Sequence, residues 1–75
     1  MNLFETKLHT ECIIKELNIE DEITKIRLME LGLITGTKIT VKHKSIFKKT
    51  LLISFNSTCF TVGENVGKSI VVSYA

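Results

Sequence analysis

The sequence has no proline, no tryptophan, one tyrosine, two cysteines and a single arginine in 75 residues. No run approaches the ~18 consecutive apolar residues that a membrane-crossing helix requires, so nothing is expected to span a bilayer and any membrane association is expected through a partner. Cys12 and Cys59 allow at most one bridge, and in a reducing compartment they read as two buried free thiols. Residues 1 to 8 hold an acid and no apolar run of leader length, which leaves the cytoplasm as the expected location. No nucleophile stands beside a base, no glycine-rich phosphate loop ends in Lys-Ser or Lys-Thr, and no carboxylates are grouped for acid–base work. The expectation is a protein that is not an enzyme and holds no cofactor.

At this length one modest core is all the chain can build, so residues 1–75 are expected to form a single domain. Hydrophobic residues make up 44% and charged residues 24%, a balance that folds. The net charge of +2 is too small to imply nucleic-acid or membrane binding by itself. Its distribution says more: six of the eight acids lie between Glu5 and Glu22, whereas Lys38, Lys42, Lys44, Lys48 and Lys49 crowd the middle of the chain.

Alternation predicts a first strand from Glu11 to Leu17, with its inward side open to either reading. Asn18 with Asp21, followed by Glu20 to Glu22 at the positive end of a helix dipole, predicts a helix starting there. Ile23, Ile26, Thr24, Leu28 and Leu31 give it a broad apolar face running to about Leu31. Gly32 stops it as a left-handed C-cap, with Leu33 folding back on Leu28. Thr35 and Gly36 make a turn. Ile39, Val41 and His43 then alternate with Lys38, Thr40, Lys42 and Lys44, a half-buried strand with its lysines in solvent. A hairpin loop from Ser45 to Lys49 leads to a strand with Leu51, Ile53 and Phe55 inward. A tight turn at Asn56 and Ser57 precedes a strand with Phe60 and Val62. A short turn or single 3₁₀ turn at Gly63 to Gly67 leads to a last strand with Ile70 and Val72, ending near Tyr74. Five strands and one helix predict a mostly β fold, a small, partly open barrel.

The run Arg27-Leu-Met-Glu-Leu-Gly-Leu-Ile-Thr-Gly36, continued by Ile39 and Val41 and later by Val66, Ile70 and Val72, resembles the ferrous iron transport protein A (FeoA) family over essentially the whole chain. The resemblance implies an SH3-like barrel with a helix inserted after the first strand. It also implies a cytoplasmic accessory, possessed of no chemistry of its own, that binds the cytoplasmic side of FeoB, a ferrous iron transporter with a GTP-binding domain. The chain departs from the family in having Thr35 before Gly36 in place of proline, no prolines between Ser45 and Lys49, no arginine near Gly63, and His9 where many members have glycine. Loss of the loop prolines predicts a more mobile hairpin tip.

Within the motif, Leu28, Leu31, Gly32, Leu33 and Gly36 read as core and turn geometry. The residues beside them are the candidate partner surface: Arg27 and Glu30, three apart and able to pair on the helix surface, and Met29 and Ile34, off the apolar face. Arg27 is the only candidate for an arginine finger, a role its helical position disfavours. The hairpin residues Lys42, Lys44, Phe47, Lys48 and Lys49, with Ile46, form a second candidate surface, suited to an acidic partner or lipid headgroups. His9, Cys12, His43 and Cys59 lack the two close-spaced ligand pairs of a structural metal site, so none is expected. A homo-oligomer remains compatible with the sequence. Small barrels also bind nucleic acid, and Phe47 among lysines would suit a base-stacking platform, but the low net charge and few aromatics argue against it. A barrel like that of some iron-dependent repressors is a third reading, without any DNA-binding helix pair here.

Overall fold

A computed structural model describes all residues, 1–75. Five antiparallel strands, β1 (Glu11–Leu17), β2 (Lys38–Ser45), β3 (Thr50–Phe55), β4 (Thr58–Gly63) and β5 (Ile70–Tyr74), form one sheet in the order β4-β3-β2-β1-β5. The sheet curls without closing, because its edge strands β4 and β5 do not pair. The helix α1 (Glu22–Glu30) follows β1, as expected, and a second helix, α2 (Glu64–Ser69), stands where a single turn was expected. Joining the two edge strands and packing on β3, β4 and β5, α2 spans the open seam.

The core is the inward side of the curled sheet: Cys12, Ile14, Ile39, Val41, Leu51, Ile53, Val62, Ile70 and Val72, joined by Leu3, Ile19, Leu28 and Leu33. In β1 the ambiguity of facing resolves toward Cys12 and Ile14, both without exposed surface. Phe55 and Phe60 meet edge to face across β3 and β4, 5.4 Å between centroids, an arrangement favoured by their ring quadrupoles. Asn56 and Ser57, at φ 50° and 62°, make the two-residue turn whose twist suits a hairpin.

Two glycines do what the sequence requires of them. Gly32, at φ 103°, donates to the Met29 carbonyl while Leu33 N–H donates to Leu28 O at 2.9 Å. This is a Schellman ending that buries Leu28 and Leu33 together. Gly36, at φ 94°, lies in a turn closed by Thr37 N–H on Ile34 O. His9 sits at φ 60°, a left-handed position that glycine would adopt without a Cβ penalty.

Residues 1 to 10, left without an element above, close one end of the barrel. Asn2 caps a 3₁₀ turn at Leu3–Glu5: its side chain accepts from Phe4 N–H, and Glu5 accepts from Asn2 N–H. Asn2 bridges to Val71, and Val72 N–H donates to Met1 O. Leu3 is fully buried. Gly67 makes room for this segment, since a Cβ there would lie 2.7 Å from the Phe4 ring and 2.9 Å from Leu51.

Candidate partner-binding surfaces

Helix α1 starts one turn later than Asn18 suggests. Asp21 is its N-cap, accepting from Ile23 N–H at 3.2 Å and from the Thr24 hydroxyl at 2.6 Å. The Thr24 hydrogen bond is the main reason the Asp21 carboxyl titrates below its ordinary range, helped by backbone N–H groups and the charge of Arg27 against some desolvation.

The expected broad apolar face of α1 is not buried. Leu28 alone enters the core. At ~100° per residue, Ile23 and Ile26 lie roughly 140° and 160° around the helix from Leu28, and they are 62% and 51% exposed. Leu31, expected in the core, is 58% exposed. Met29 and Ile34 are also exposed and line, with Leu17, Lys25 and Thr35, a shallow open recess. Arg27 and Glu30 lie exposed on this surface and form no ion pair with each other or with any other group. Helix α1 and the Gly32 turn thus present five large apolar side chains and two free charges to solvent.

The hairpin differs from its expected form in one residue. An irregularity between Val41 and His43 makes Lys42 an extra residue in β2, so that Val41 pairs with Ile53 but His43 pairs with Leu52 and Lys44 with buried Leu51. The alternation therefore reverses: His43 faces solvent and Lys44 turns inward. Lys44 is not part of a free lysine surface. Its ammonium donates to Phe4 O at 2.7 Å and to Thr6 O, capping the N-terminal 3₁₀ turn. Lys42, Phe47, Lys48 and Lys49 remain exposed.

The structure does not bring the two candidate surfaces together. Gly32, ending α1, lies against the Phe55 ring at the last residue of β3, whereas the hairpin tip precedes its first. Six residues of strand separate them, roughly 17–20 Å. The thiols also divide: Cys12 is buried, with its pKa raised by desolvation and then by Glu11, whereas Cys59 is exposed, not buried as expected. No three His, Cys, Asp or Glu side chains gather where they would hold a metal ion.

A curled five-stranded antiparallel sheet with one helix after its first strand and a second across its open seam defines a small SH3-like domain. The sequence matches the FeoA domain over residues 1–74, and the chain belongs to the FeoA family. That is a family of transport accessory proteins, not one of known enzymes. A FeoA protein from Chlorobium tepidum superposes with a TM-score of 0.89 at 24% identity, over 99% of this chain and 70% of its own. FeoA from Stenotrophomonas maltophilia, complexed with zinc and described as an SH3 domain protein proposed to be a ferrous iron transport activating factor, is 30% identical. It gives a TM-score of 0.75 over 97% of this chain and 89% of that one. IdeR of T. acidophilum contains the same fold in 34% of its length, at 17% identity, a TM-score of 0.83 and full coverage of this chain. Comparison with curated proteins finds no match. No helix of the chain is long and apolar enough to cross a membrane.

Proposed function

We propose that this protein is a cytoplasmic accessory of ferrous iron uptake that binds the cytoplasmic part of a FeoB-type transporter through α1 and the turn that follows it. One observation carries the reading: α1 contributes only Leu28 to the core while Ile23, Ile26, Met29, Leu31 and Ile34 stand in solvent beside Arg27 and Glu30. A surface helix ordinarily buries its apolar stripe against its own domain, and a cluster left outside, edged by charge, is what a protein interface uses. Family membership supplies the transport context, and the transporter supplies the cover. Arg27 and Glu30, unpaired in the free domain, give this contact its charge register.

Co-purification with the transporter in mild detergent tests the reading. The native chain is expected to be retained, and Ile26→Ser with Met29→Ser is expected to weaken retention at least ~tenfold, the effect of losing two exposed apolar anchors. The thermal midpoint should barely move, since neither side chain supports the core. Retention of the double variant at the native level, or no retention of the folded native chain, counts against it.

A further inference from the structure

The β2–β3 hairpin ends on the two most exposed apolar side chains in the molecule, Ile46 at 86% and Phe47 at 99%. They occupy a formed turn: Lys48 N–H donates to Ser45 Oγ at 3.3 Å, and Lys49 adopts a left-handed φ of 51°. Neither residue contributes to the core, so the fold does not explain their character.

Their surroundings are mostly basic, with Glu64, next to the Gly63 that pairs with Thr50, as the acid facing Lys49. Lys42, Lys48 and Lys49 are exposed around the tip, and no Asp or Glu occurs from Leu31 to Gly63. Beyond this stretch Glu64 is engaged by Lys68 at 2.8 Å, and the charge of Lys49 also helps hold its carboxyl below the ordinary range. Lys44, the one lysine with its ammonium turned away, does not dilute the pattern.

We infer that the hairpin tip is a membrane-surface contact for a bilayer rich in anionic phospholipid. The shape decides for lipid over a folded partner: a convex knob of two apolar residues enters an interfacial region without needing a matching cavity. The lysines behind it then stand at the level of headgroup phosphates. Phe is suited to this depth, being apolar and rigid. The density of charge at the tip matters here, since the net +2 of the whole chain would give little general attraction. The inference is independent of the transporter-binding face, which lies at the other end of β3.

The test contains no transporter. The full chain is mixed with vesicles of phosphatidylcholine alone and of phosphatidylcholine with phosphatidylglycerol, and bound protein is measured by co-sedimentation. Binding to the anionic vesicles only is expected, falling as salt rises. Phe47→Ser and, separately, Lys48→Gln with Lys49→Gln are each expected to reduce it about tenfold. Because the chain has no tryptophan, F47W places the sole indole at the tip. Its emission should shift to the blue on adding anionic vesicles. All three positions are exposed, so the variants are expected to keep the native circular dichroism spectrum. Absence of vesicle binding, or binding unchanged by Phe47→Ser, overturns the inference. A blue shift of F47W with a single-stranded oligonucleotide and none with vesicles overturns it in favour of a nucleic-acid surface.

Discussion

At Lys44, a single extra residue in β2 turns an expected surface charge into a half-buried donor. The ammonium meets the Phe4 and Thr6 carbonyls at the end of the N-terminal 3₁₀ turn, groups that would otherwise lack a partner away from water. Replacing Lys44 by Met keeps most of the unbranched stem and removes the ammonium donor, leaving two carbonyls without it. Lys44→Met is expected to cost ~1–3 kcal/mol in denaturant unfolding, whereas Lys42→Met, on the exposed extra residue, should stay within ~0.5 kcal/mol. Equal effects at the two positions would contradict the inward role of Lys44.

Within elements, a hydrogen-bonded carboxylate stands at the start of each α-helix. Asp21 is held below the ordinary Asp value of 3.8 chiefly by the Thr24 hydroxyl, and Glu64 below the ordinary Glu value of 4.5 chiefly by its hydrogen bond from Lys68. Both folded pKa values lie below the unfolded ones, so over that interval the unfolded chain binds more protons and stability rises with pH. The contribution is complete above the ordinary values and is lost as pH falls through the depressed ones. An acid titration followed by unfolding midpoint should therefore show a decline below about pH 4.5 that flattens in Asp21→Asn with Glu64→Gln. An unchanged acid profile in the double variant would remove these two groups from the account. The same scale explains α1: its cap and its Gly32 stop are local chemistry, readable from spacing, but which side of a helix is buried depends on what it meets.

Across the whole molecule, an open sheet is completed by pieces from both ends of the sequence. α2 spans the seam between β4 and β5, and the 3₁₀ turn Leu3–Glu5 packs on α2. Gly67 is the point of closest approach. Gly67→Ala would place a methyl group 2.7 Å from the Phe4 ring. Overpacking of this kind costs ~1–3 kcal/mol and exceeds the ~1 kcal/mol that alanine gains over glycine within a helix. The expected result is a net loss of stability, with faster amide exchange at Val72, whose N–H is held by Met1 O. Native protection at Val72 in the variant would show that the N-terminal segment does not depend on this contact. At this scale the two exposed surfaces, 17–20 Å apart by strand length, would let one domain touch a transporter and a bilayer together.

What the sequence determined by itself was whatever depends on near neighbours. The bounds of β1, the Gly32 stop, the turns at Gly36 and at Asn56-Ser57, and the succession of five strands along the chain all follow from alternation and turn chemistry, and the Arg27 to Val41 pattern identified the family. The Asn2 to Glu5 capping box was also legible, as Asn followed three residues later by Glu. The tertiary structure alone decided the rest. Ile23, Ile26 and Leu31 carry the periodicity of a core face, and they lie in solvent because α1 enters the core only through Leu28. His43 and Lys44 exchange sides because pairing with β3 absorbs Lys42 as an extra residue. Both outcomes depend on partners distant in the chain, and a local pattern records that a residue is apolar or charged without recording what it will meet.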